Sequence, residues 1–395
     1  MGDELMSATV FDELQAEIAA GGAEAAFERM AERLRADGRF HELFDARLMQ
    51  SRYRLGLPVI LTSSLDDLPE PQRTNVENAY LDACREVGGL LLKLGRIREA
   101  WMYLRPVGDK GAVAAALKDV EATDDNLEEL IEIALHEGVN PRQGFELVLG
   151  HYGTCNAISM FDSAMQNQPR PQRQEVAELL VRHLHRELTR NLQAEIAKQE
   201  GSPPQETTIH GLVADRDWLF LADNYHIDTS HLHAVVRFAR LVEDPQVLRL
   251  ALDLTEYGRR LSRQYQYAGE EPFVDSHATH ALFFQAQLGE NVDQALEYFR
   301  ERAEARPAAQ HGAGTAEIYI TLLARLGRRR EALDALSQFI PAGVPTSSFS
   351  PTMLELARQS GEYQRLMEIC RERGDVLGFA AGLVEGQTAS AVSTT

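Results

Sequence analysis

The 395-residue chain is 44% hydrophobic and 25% charged, with a formal net charge of -20. Such a chain folds around a sizeable core and is long enough for two or three ordinary domains or one continuous solenoid. Its acidic balance argues against a nucleic-acid binder and against docking on an anionic membrane, because both need clustered Lys and Arg.

The opening MGDELMSATV is acidic and lacks the apolar stretch of a signal peptide. Met6 stands where a myristoylation signal following Gly2 needs Ser or Thr. From there on, apolar residues recur at helical spacing almost everywhere, and alternating runs with hairpin turns are missing. The expected class is therefore all-α. No apolar run of about 18 residues is present, so no membrane-spanning segment is expected. Gly38, in RADGRFHELFDARL, marks a degenerate first helix pair. VILTSS at 59–64 is the one short β-branched run, and its flanking prolines make it a loop or a helix end. Residues 75–107, NVENAYLDACREVGGLLLKLGRIREAWMYLRPV, hold two periodic segments separated by Gly95.

Between about 120 and 270 the pairing fades. TDDNLEELIEIALHEG has an acidic first turn suited to a helix start. Pro141 is placed for a first helical turn. One long helix is predicted from about 172 to 199, broken by the exposed loop GSPPQETT at 201–208. IHGLVADRDWLFLADNYHIDTSHL follows, weakly periodic and polar, and any active site is expected there. Helix pairs return at 278–307 and 317–339, and more weakly at 354–375. The expected organisation is N-terminal helical repeats over 1–120, a His-rich diverged helical region over 121–270, C-terminal repeats over 271–385 and a flexible tail over 386–395.

The hinge glycines Gly289, Gly327 and Gly361 lie 38 and 34 residues apart, a period typical of stacked helix pairs. Gly95, Ala100 and Leu104 follow one pattern of hinge, small residue and large residue, with Gly88 at a small position in the preceding helix. Gly327, Ala332 and Leu336 repeat it, as do Gly289, Ala295 and Phe299 with one extra turn residue. This pattern resembles the tetratricopeptide repeat over residues 75–107 and 278–375. The family's early Trp is absent, and Cys84 stands in its place in the first repeat. The resemblance implies a right-handed superhelix of antiparallel helix pairs, an α-solenoid, and often a concave groove for a protein or peptide.

The sharpest chemical candidates lie in NYHIDTSHLHAVVRFAR, residues 224–240. On a helix starting near Asp228, His231 shares a side with Val235 and Phe238, whereas His233 points with Arg237 and Arg240 toward solvent. Upstream, His183 and Glu187 are four apart, and His185 faces out with Arg182 and Arg186. Downstream, His277 and His280 are three apart. Such pairs on facing helices build carboxylate–histidine metal centres, so His183, Glu187, His231, His277 and His280 are the candidate metal ligands. Zinc, iron or manganese would suit them. His231, Asp228 and His226 are the candidates for catalysis. The competing reading is structural, with Asp228 and Asp275 as N-caps and the histidines as satisfied packing groups.

The three cysteines, Cys84, Cys155 and Cys370, form no CxxC, which excludes a closed four-cysteine zinc site and fits a reducing, cytoplasmic setting. Cys155, in HYGTCNAIS, is expected to be buried behind a turn broken at Gly150 and Gly153. In YGRRLSRQYQYAGEEPF, Tyr257, Arg260, Arg263 and Tyr267 interleave aromatic and guanidinium groups, a composition common at partner-binding surfaces. Arg259, Arg260 and Arg263 also suggest a clamp for a small anionic ligand. The favoured function is a helical-repeat scaffold that binds a protein or peptide and has no cofactor. The alternative is a metal-dependent helical hydrolase or lyase.

Overall fold

The computed structural model describes the backbone of residues 2–60, 65–166 and 168–392. Every regular element among the described residues is helical, as expected. The only β contact among the described residues is one isolated antiparallel bridge between Ala268 and Asp275. Of the β-branched run at 59–64, Val59 and Ile60 lie in a bend and residues 61–64 lie outside the described residues. Two compact units divide the chain at Val148 and Leu149.

The first unit holds α1 (Gly2–Ala36), α2 (Phe40–Arg54), α3 (Gln72–Lys93), α4 (Ile97–Val107), α5 (Lys110–Leu117) and α6 (Leu127–Ile131), followed by a single wide π turn at Glu132–His136. α7 (Pro141–Ala164) begins in this unit, with Pro141 at its start as expected. Two apolar clusters organise the unit. Leu34, Phe40, Leu43, Val87 and Leu91 bring α1, α2 and α3 together. Ile97, Trp101, Leu104, Val113, Leu117 and Leu130 carry the core on through α4, α5 and α6.

α3 and α4 pack most extensively of all pairs, and the sequence explains how. At the hinge, Gly95 takes φ 72°, a left-handed conformation that costs a Cβ-bearing residue energy. The Arg96 N–H then closes onto Leu91 O at 3.1 Å, ending α3. A Cβ at Gly88 would stand 2.5 Å from Leu104 Cγ, so glycine is what lets the helices close.

In the second unit, α7 breaks at Gly153, whose φ of 80° and ψ of 177° are not helical. Gly150, expected to be a second break, stays helical. Cys155 is exposed rather than buried, because its side chain falls on the outer face of the segment that buries Ala157 and Ile158. α8 (Arg170–Glu200) is the long predicted helix, and its stripe of Leu180, Leu184, Leu188, Leu192 and Ile196 is fully buried. α9 (Ile209–Val213), α10 (Thr229–Phe238) and α11 (Pro245–Arg260) pack against it.

The remaining elements are α12 (Ser276–Gln287), α13 (Val292–Ala305), α14 (Ala308–His311), α15 (Gly314–Arg325), α16 (Arg329–Phe339), α17 (Met353–Ser360), α18 (Tyr363–Arg373) and α19 (Val376–Val392). The glycine hinge of the first unit returns here. Gly327 takes φ 77°, and the Arg328 N–H donates to Leu323 O at 2.9 Å. Gly289 takes φ 86°, and the Glu290 N–H donates to Gln285 O at 2.8 Å. The tail expected to be flexible from 386 continues α19 through Val392; its small residues let the helix lie close to α18, with a Cβ at Gly386 falling 3.1 Å from Tyr363 Cβ.

Candidate functional site

Asp228 is an N-cap. Its Oδ1 accepts from the Ser230 N–H at 2.8 Å, the Ser230 hydroxyl at 2.6 Å and the His231 N–H at 3.2 Å. The Ser230 hydroxyl, aided by these N–H groups, holds the carboxyl below its usual range against the opposing effect of burial. It is thus committed to the anion, the form a cap needs. Asp275 caps α12 in the same way, through the Ala278 N–H.

Both α10 histidines are half-buried, and His233, expected to face solvent, makes contacts with neighbouring segments. The His233 ring lies 5.1 Å from Tyr267, and its Nδ1 is 3.3 Å from the Ser276 hydroxyl. A helix packed on one side only would leave His233 in solvent. In the fold α8, α11 and α12 all contact α10, so its polar flank is covered as well.

His277 and His280, expected to face inward, are buried in α12. The His277 ring lies directly over Gly258 of α11, where a Cβ would come within 2.4 Å of it. His280 Nδ1 sits 2.5 Å from Ser276 O, and its ring stacks on Phe273 at 4.0 Å. His280 Nε2 and His277 Nδ1 have no hydrogen-bond partner. Burial above all, reinforced by His233, depresses His277 to about 4. Burial and then Arg240 push His280 well below its ordinary value. Both are therefore neutral at pH 7.

His183 and Glu187 pair with each other on α8 at 3.6 Å, and Thr154 Oγ1 reaches both, at 3.0 and 3.3 Å. His185, expected to face out, is largely buried and meets Asp253 of α11 at 2.9 Å. His226 is held against Tyr257. Its N–H donates to the Tyr257 hydroxyl at 2.8 Å, and its Nδ1 lies 3.1 Å from the same oxygen. Among the described residues, no group of three His, Cys, Asp or Glu side chains is arranged to hold a metal ion. The sequence correctly places His277 and His280 inside, but the set of His183, Glu187, His231, His277 and His280 does not converge.

The proposed partner-binding residues also separate. Tyr257 is fully buried, because its α11 face packs on Phe220 and His226. Arg260 is occupied. It donates to Val213 O and Asp217 and lies 4.4 Å over the Phe220 ring. Arg263 and Tyr267 remain exposed. Near them Tyr225, also exposed, meets the Tyr265 ring edge-on at 5.0 Å.

A cavity of about 350 Å3 in this unit was not foreseen from sequence. Phe161, Arg173, Arg237, Arg240, Glu270 and Glu317 are among its walls. Arg237 is paired with Asp162 at 2.7 Å. Arg240 gives its Nε to Arg237 O at 2.9 Å and lies 5.1 Å over Phe273. No described carboxylate pairs with it, and burial, followed by the Arg237 charge, lowers its pKa to about 10. Glu317 is buried and accepts from the Ser347 N–H and hydroxyl, without a cation. Burial raises its pKa against those hydrogen bonds. The signal for this cavity is the isolated Arg and Glu at otherwise apolar positions, unreadable until the helices are assembled.

Neighbouring Arg325 is structural. Its Nη1 donates to Arg240 O at 2.8 Å, Val242 O at 3.2 Å and Gln287 Oε1 at 2.9 Å. It thereby satisfies carbonyls where the chain leaves α10.

Comparison with protein-family models finds none that matches this chain, and comparison with curated proteins finds no match either. No helix among the described residues is long and apolar enough to cross a membrane.

Proposed function

We propose that this chain is a tetratricopeptide-like helical-repeat scaffold that binds a protein partner. The observation that carries the reading is the exposed cluster of Tyr225, Arg263 and Tyr267 beside Tyr265. Tyr and Arg dominate binding energy at protein interfaces, where they bring large contact area and donors at low conformational cost. Arg263 and Tyr267 sit on the irregular segment between α11 and α12, which Tyr267 ties to α10 through Thr229 and His233. The recurring glycine hinges and the Gly88–Leu104 fit support a repeat architecture. Of the histidines that would serve the metal-enzyme alternative, His183 pairs with Glu187 and the His280 ring stacks on Phe273.

The test is affinity capture with the full chain and with a Y225A/R263A/Y267A variant. The reading predicts a protein retained by the first and lost by the second, then reproduced by titration with that protein purified. Retention unchanged by the triple substitution would contradict it.

A further inference from the structure

The 350 Å3 cavity of the second unit shares no lining residue with the tyrosine cluster and has its own unanswered charges. Its wall carries two settled ion pairs, Arg237 with Asp162 and Glu271 with Arg302. Arg173, Arg240 and Glu317 are left without an opposite charge among the described residues. Arg173 gives its Nη1 to the Ser348 hydroxyl; Arg240 and Glu317 are deep in the fold, where an unpaired charge is costly. Arg240 still keeps partial exposure, the position of a side chain at the floor of a cavity. Its terminal nitrogens have no protein acceptor among the described residues, and they have not been sealed off as its neighbour Arg325 Nε has. A planar guanidinium with two open nitrogens is shaped for a carboxylate.

We propose that this cavity binds a small zwitterion, its carboxylate on Arg240 and its ammonium on Glu317, with an apolar body against Phe161 and Phe238. The aromatic wall is continuous, since those two rings lie 4.2 Å apart. A simple dianion fits poorly, because Glu270 and Glu317 face the same space. A simple amine leaves Arg240 without an acceptor. Arg240 and Glu317 line the same cavity but make no ion pair with each other, so a ligand has to bridge them, and the chain length between its charged ends is what the titration varies. The volume is that of a small-molecule site.

The test is calorimetric titration of the full chain with 4-aminobutanoate, 6-aminohexanoate and 8-aminooctanoate, and with hexanoate and hexylamine as half-ligands. One of the ω-amino acids is expected to bind at least about tenfold tighter than either half-ligand, the gain of one further charge-assisted contact. Glu317→Gln keeps an acceptor for the Ser347 N–H and can donate to the Ser347 hydroxyl, and it should erase the preference over hexanoate. Arg240→Gln should erase the preference over hexylamine. Arg240→Lys keeps the charge but loses the fork, and should weaken binding if Arg240→Gln fails to fold. Absence of binding by all three ω-amino acids overturns the proposal. So does hexanoate binding as tightly as the best of them, or undiminished binding to folded Glu317→Gln.

Discussion

Acid should destabilise the second unit through its buried histidines. His277 is 2% exposed, and burial depresses it to about 4, while an unfolded histidine titrates near 6.5. The unfolded chain therefore binds a proton over that interval and the folded chain does not. Stability contributed by neutral His277 is complete above the unfolded value and is lost as pH falls from about 6.5 toward 4, after which the loss levels off. At 1.36 kcal/mol per pKa unit, this one site costs about 2.5 kcal/mol by pH 4.5. The groups facing it make relief difficult: His233 opposes its protonation and only Asp275 favours it, and Gly258 packs against its ring. The assay is urea unfolding at pH 7.5, 6.0 and 4.5, read from Trp218 fluorescence. A Trp101→Phe background removes the only other tryptophan. His277→Asn should lower stability at pH 7.5 but flatten its dependence on pH by about one proton's worth. Parallel pH profiles for the two proteins would refute the assignment.

Two adjacent glycines of α3 should respond with opposite signs. Gly88→Ala drives a Cβ into Leu104 and should cost about 1–3 kcal/mol, whereas at Gly89 a Cβ meets nothing within 4 Å. Gly89→Ala should stabilise by up to about 1 kcal/mol, measured by thermal unfolding. Asp228→Ala removes the α10 cap and should cost about 1 kcal/mol, and Asp228→Asn should recover most of it in the same assay. Arg325→Met leaves the carbonyls at the end of α10 without their donors and should cost about 3 kcal/mol or more. Hydrogen exchange should then quicken first around residues 239–242.

The helices were legible because their signals are local. Hinge glycines, the long helix that became α8 and the capping aspartates each rest on signals within a few residues, and each appears where the pattern puts it. The orientation of single polar side chains was less legible. His233 and His185 sit on faces that a one-sided wheel gives to solvent, yet α12 and α11 cover them. Tyr257 reads as a contact residue beside its arginines, but the same helix turns it into the core. The cavity depends on Arg173, Arg240 and Glu317, which come from distant stretches and share no spacing. Only tertiary packing sets these outcomes, and it overrides local pattern wherever a helix has neighbours on several sides.

The partner-binding claim is tested most directly by hydrogen–deuterium exchange of the full chain with and without the captured protein. The account predicts protection centred on residues 224–226 and 263–267, around Tyr225, Arg263 and Tyr267. Protection confined to other parts of the chain, with these segments exchanging unchanged, would contradict it.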